Sequence, residues 1–115
     1  GSHYDLGLAF KEMGLIDDAI NEFQIALRAG EDRLKVFEEL GQCFFLKDQY
    51  NIAIKIFSRA LQLDHRDELE MIGVYYHLGR SYEALGHAAP ARDAYERVMG
   101  LDIRFKDVME RIGRL

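Results

Sequence analysis

Along almost the whole chain, apolar residues recur at steps of three and four, the spacing that gathers them on one face of a helix. The apolar stretches come in pairs. Breaks fall at "EMGL" around Gly14, "KDQ" around Asp48 and "LGH" around Gly86, each between two amphipathic segments. Pro90 stands near the start of the segment after the third break, where a missing N–H leaves no bond unmade. Each unit therefore reads as two antiparallel helices. One such pair cannot bury its apolar face alone, so the pairs are expected to stack into an all-α array.

The pairs are copies of one another. Aligning "LGLAF" from Leu6, "LGQCFF" from Leu40 and "LGRSY" from Leu78 sets Gly7 and Gly41 34 residues apart, and Gly41 and Gly79 38 apart. Gly113 follows after another 34. Ala19, Ala53 and Ala91 share a column, as do Phe23, Phe57 and Tyr95, and then Ala26, Ala60 and Val98. A glycine inside a helix costs about 1 kcal/mol relative to alanine, so its recurrence asks for a reason. The expected one is a close crossing of two helices, where a Cβ would push the backbones apart. Cys43 shares a column with Ala9 and Ser81 and is expected to be a small, buried packing residue, with Phe10, Phe44 and Tyr82 filling the space alongside.

Two segments depart from the period. The extra four residues before Gly79 lie within "LDHRDELEMIGVYYHLG", and four residues make about one helical turn. The first helix of the third pair is expected to start about one turn early, near Asp67, with "RDELEM" as a charged extension; a longer loop is the alternative. At the C-terminus, "DIRFKDVMERIGRL" puts Phe105, Val108, Met109, Ile112 and Leu115 on one stripe, as for a helix that caps the end of the stack.

Leu40-Gly41, Phe44, Tyr50, Ala53, Phe57, Ala60 and Leu61 resemble the signature of the tetratricopeptide repeat, a helix-turn-helix unit of 34 residues. The resemblance implies a right-handed superhelical stack: repeat 1 over residues 4–32, repeat 2 over 33–66, repeat 3 over 67–102, and a capping helix over 103–115 as part of a fourth repeat. His3 and Tyr75 stand where the family often carries tryptophan, and His65 where a proline often closes the repeat.

Charge and composition narrow the function. A net charge of −5 argues against a nucleic-acid partner, whose phosphates call for a basic face. No apolar run approaches the roughly 18 residues of a membrane span. One cysteine excludes an internal disulfide framework and a multi-cysteine zinc site, and it suits a reducing, cytoplasmic setting. Gly1-Ser2-His3 looks like the remnant of a cleaved tag, so the chain reads as part of a longer protein. "LGLAFKEMGLIDDAINEFQIAL" resembles short repeat arrays of bacterial proteins.

Chemistry is absent from the pattern. Cys43 lacks the exposed thiolate and neighbouring base that a nucleophile needs. His3, His65, His77 and His87 never stand four apart on one helix face, so they read as solvent-exposed histidines and not as metal ligands. No glycine-centred calcium loop or phosphate cradle is present. No catalytic residue and no cofactor are expected.

The resemblance implies that the first helix of each pair lines a concave face that binds peptides or partner helices. Three rows of this sequence project onto it: Tyr4, Glu38 and Tyr76; Leu8, Gln42 and Arg80; Lys11, Phe45 and Glu83, with His77 and Lys35 flanking. Tyr and Arg dominate binding hot spots, and Tyr76, Arg80, Phe45 and Leu8 are the expected anchors. Phe45 follows the core residue Phe44, so it either lines the groove or packs under the next repeat. Chaperone-linked members of the family clamp a C-terminal carboxylate with Lys, Asn and Arg; Tyr4, Leu8, Glu39, Gly73 and His77 hold those positions here, and none matches. The expectation is a non-catalytic scaffold module for a peptide or amphipathic helix, with a homodimer, or a regulatory arm of an enzyme, as the competing readings.

Overall fold

The computed structural model describes residues 2–64 and 67–115; the turn histidine expected at His65, and Arg66 in the charged extension, lie outside them. Six helices form three antiparallel pairs: α1 (His3–Glu12) with α2 (Ile16–Arg28), α3 (Arg33–Leu46) with α4 (Tyr50–Leu61), and α5 (Ile72–Ala84) with α6 (Ala88–Leu101). A short α7 (Val108–Gly113) follows. Each pair packs on the next through α2 against α3 and α4 against α5, in a body of 40 × 30 × 22 Å.

The three predicted breaks share one turn geometry. Gly14, Asp48 and Gly86 have φ of 79°, 60° and 77°, the left-handed region that ends a helix. The next residue in each turn, Leu15, Gln49 or His87, donates its N–H back to the carbonyl of Phe10, Phe44 or Tyr82 at 2.9 Å. Aspartate is one of the few non-glycine residues that tolerate this conformation, and the Asp48 carboxylate accepts the Tyr50 hydroxyl at 2.9 Å.

The glycine column has a reason other than backbone crossing. A Cβ on Gly7, Gly41 or Gly79 would stand 2.6, 2.4 or 2.5 Å from the ring of Phe23, Phe57 or Tyr95. Each glycine is the seat of an aromatic ring from the second helix of its own pair. All three rings are fully buried, as are Ala19, Ala53 and Ala91, which let the second helix lie close. Cys43 and Ser81 are also fully buried, whereas Ala9, at the first pair, is exposed.

Before α5, residues Glu68–Met71 form a 3-10 turn that runs directly into the helix. The Asp67 carboxylate caps it by accepting the Leu69 N–H at 3.1 Å. The turn brings Glu68 to Arg97 at 3.1 Å and buries Met71.

Ser2 and His3, set aside as tag by the sequence, take part in the fold. The Ser2 hydroxyl accepts the Asp5 N–H at 3.0 Å and caps α1, and His3 sits 2.9 Å from the Glu22 carboxylate.

At the C-terminus the helix is shorter than the apolar stripe implies. Asp102 is extended and turns occupy residues 103–107, with Lys106 at a φ of 44°. Val108 is fully buried, and Phe105, Ile112 and Leu115 pack on the core, but Met109 is 54% exposed. Within α7, Val108 and Ile112 share the face turned to the core, and Met109, about 100° round the helix from Val108, lies off it.

Candidate functional site

The first helices of the three pairs, α1, α3 and α5, present the side chains that the repeat columns assign to a groove. Lys11 on α1 reaches across to α3, donating to Glu39 at 3.1 Å and to the Gln42 side-chain oxygen at 2.6 Å. Phe45 on α3 meets the ring of Tyr50 at 5.3 Å, and the ring of His77 on α5 at 6.5 Å. Arg80 stacks over Phe45, its guanidinium carbon 5.1 Å from the ring centre. Phe45 is thus half-exposed and in contact with His77 and Arg80 of the next pair.

A hollow of about 290 Å³ opens among Lys11, Gln42, Phe45, Leu46, His77 and Arg80. A second, of about 250 Å³, shares Phe45 and Arg80 with it and continues to Tyr50, Glu83 and Arg111. At the other end of the groove, Tyr4 rests on Phe23 at 5.9 Å and Leu8 packs on the core. Lys35 is exposed. A separate hollow between α5 and α6 is bounded by Arg97, which is committed to the Tyr75 ring and to Glu68.

Three expectations change. Tyr76 is only 3% exposed and cannot serve as an open anchor. Its ring lies against Phe105 at 5.6 Å, and its hydroxyl donates to Asp107 at 2.5 Å, so the turn before α7 covers it. Glu83 is engaged within the chain, accepting the Tyr95 hydroxyl at 2.5 Å and Arg111 at 3.2 Å. His77 is not a solvent-exposed histidine: it sits among Phe45, Phe57 and Tyr76 and donates from Nδ1 to the Gly73 carbonyl at 2.8 Å.

The columns also left out Arg111 and Lys106. Arg111 stands 34 residues after His77, so extending the groove columns into the fourth copy would have found it. Lys106 lies over the Tyr76 and Phe105 rings from a left-handed turn, which no column could place.

Two partly buried titrating groups, Glu38 on α3 and His77 on α5, face one another's helices. Glu38 lies where a Gly73 side chain would be, its carboxylate oxygen 2.2 Å from that position. Burial, reinforced by Glu39, pushes its pKa up to about 7 from 4.5. Burial likewise holds His77 down to about 4 from 6.5, against the pull of its bond to Gly73. The Glu38 contribution to stability is full below pH 4.5 and is lost as pH rises to about 7. The His77 contribution is full above pH 6.5 and is lost as pH falls to about 4. The two slopes oppose each other over the shared window, so the wild type should be nearly flat there. Glu38→Gln should be more stable than wild type by about 1–3 kcal/mol at about pH 8, with the gain gone near pH 4.5. Urea unfolding across that range checks this; a Glu38→Gln gain that is constant with pH would refute it.

Cys43 is fully buried, and burial raises its thiol to about 11, which leaves it protonated and unreactive. Among the described residues, no cluster of His, Cys, Asp and Glu could hold a metal ion, and no helix is long and apolar enough to cross a membrane.

Residues 72–102, covering α5 and α6, match the family model for the tetratricopeptide repeat. The chain carries a tetratricopeptide repeat. The fold of the whole chain is that of the family's stacked repeats. MamA is 26% identical, with a TM-score of 0.83 over 97% of this chain and 63% of that one. The TPR2AB domain of yeast Sti1, in complex with pHSP90, is 17% identical with a TM-score of 0.86, over 97% of this chain and 44% of that one. The first TPR of Spaghetti (RPAP3), bound to the HSP90 peptide SRMEEVD, is 18% identical with a TM-score of 0.88, over 97% and 88%. This chain thus spans less than two thirds of the MamA and Sti1 chains. No curated protein matches the sequence.

Proposed function

We propose that this repeat module is a non-catalytic scaffold that captures a peptide segment or amphipathic helix of a partner protein in its concave groove. The observation that carries the reading is the hollow at Phe45 and Leu46. A half-exposed aromatic ring and an exposed leucine lie there between two helix pairs, with a cation stacked on the ring. An apolar surface of this kind, rimmed by polar groups, fits a side chain from outside the fold. The solved Sti1 and RPAP3 repeats, whose structures hold an HSP90 protein or peptide, are consistent with capture by this fold.

Panning a random peptide library against the module tests it, in parallel with a Phe45→Ser, Leu46→Ser variant whose circular dichroism matches wild type. Peptides that bind the wild type are expected to lose most of their affinity for the variant. Peptides that bind both equally would move the site off the groove and overturn the reading.

A further inference from the structure

The groove's cations are unequally committed. Lys11 is neutralised by Glu39, and Arg111 by Glu83 and Asp107. Arg80 is different. Among the described residues no carboxylate pairs with it, and its one polar contact is a long 3.5 Å approach to the Tyr76 hydroxyl. Stacking on Phe45 holds the planar guanidinium in place while leaving its N–H edge free, the arrangement that suits a two-pronged bond to an oxyanion.

The other polar groups of the same hollow are aimed by their internal bonds. The Gln42 oxygen is occupied by the Lys11 ammonium, which can only donate, so the amide NH2 remains as a second donor at the hollow. The His77 Nδ1 must carry hydrogen, because the Gly73 carbonyl can only accept. Its Nε2 is then an unprotonated acceptor, and the low basicity of the buried ring keeps it so at neutral pH. Phe45 and Leu46 supply the apolar wall. The hollow thus offers a cationic fork, an amide donor, a bare acceptor and a hydrophobic surface together.

We infer that this hollow is a subsite for an acidic side chain followed by a large apolar residue in an extended segment of a partner protein, an inference that rests on the groove reading above. The carboxylate meets Arg80 and the Gln42 amide, the apolar side chain lies on Phe45 and Leu46, and a backbone N–H of the segment donates to His77 Nε2. A phosphoryl dianion fits worse. Among the described residues Arg80 is the one uncommitted cation lining the hollow, and Glu39 beside Lys11 would repel the second negative charge. The residues involved are not those of the family's carboxylate clamp, of which this chain matches none.

The test is a nitrogen-15 NMR titration of the module with N-acetylated, C-amidated peptides. They share the frame Gly-Ser-X-Leu-Ser-Gly, with X as Glu, Gln or Lys. The Glu peptide should shift the amides of Gln42 to Leu46 and His77 to Arg80 and bind about tenfold more tightly than the Gln peptide. Arg80→Glu, checked for wild-type circular dichroism, should reverse the order so that the Lys peptide binds best. Groove shifts of equal strength with the Glu, Gln and Lys peptides would overturn the acidic preference while sparing the groove reading. So would equal binding by inorganic phosphate, or by the Gln peptide left with a free C-terminal carboxylate. Shifts outside the groove, or none at millimolar concentrations of any peptide, would overturn both.

Discussion

Gly41→Ala should destabilise the fold by about 2–4 kcal/mol, despite alanine being the better helix former. The added methyl would stand 2.4 Å from Cε1 of Phe57 and 2.7 Å from two more ring atoms. Real carbon atoms pack at about 3.5–4.0 Å, so more than an ångström must be found. The ring cannot supply it by swinging into solvent, because Phe57 is fully buried, between Ala53 and Ala60 on its own helix and the His77 ring 6.0 Å away. The helices α3 and α4 must then part, which loosens every contact along the pair. Gly113→Ala is the control. Nothing lies within 4 Å of its Cβ position, so that change should be neutral or stabilise by up to about 1 kcal/mol through helix propensity. Phe57→Leu should cost less in the Gly41→Ala background than alone, since the clash and the ring are one interaction. Urea unfolding by circular dichroism decides it; equal midpoints for Gly41→Ala and Gly113→Ala would sink the argument.

That glycine shows what the sequence holds and where it stops. The column Gly7, Gly41, Gly79 is legible from spacing alone, and so is the aromatic column Phe23, Phe57, Tyr95. That one column seats the other is a fact of distance, and spacing records no distance between columns. The sequence therefore assigns the glycine to a backbone crossing when a ring is what fills the space. The groove divides the same way. Lys11, Gln42, Phe45 and Arg80 follow from repeat position, because the first helices keep one phase through all three pairs. Tyr76 occupies an equivalent position and is nevertheless covered, because the turn at residues 103–107 breaks the period and lays Phe105 and Asp107 over it. His77 fails for a similar reason. Its burial comes from Phe45 on α3, Phe57 on α4 and Tyr76 beside it, a meeting of elements that no single helix pattern encodes.

Deleting residues 104–115 should cost more than any single substitution, about 4–8 kcal/mol, against a usual total of 5–15. The segment buries Val108 completely and Phe105, Ile112 and Leu115 in part. It also closes a polar chain in which Asp107 accepts the Tyr76 hydroxyl and Arg111 bonds Tyr76, Asp107 and Glu83. Without it, Tyr76 loses its cover and Glu83 keeps its bond to Tyr95 but loses its countercharge. Part of the cost therefore comes from uncovered apolar surface and part from severed polar partners. The truncated chain should unfold below about 37 °C or aggregate, and should bind a dye that reports exposed apolar surface. Arg111→Met separates the two contributions. It removes the ion pairs while keeping a long apolar side chain, and should cost only about 1–3 kcal/mol. A truncated protein that melts cooperatively at the wild-type temperature would show that the three helix pairs hold together unaided and that α7 contributes nothing to the fold. A loss confined to Arg111→Met-sized effects would place its contribution in the polar chain, with the Val108 contact adding little.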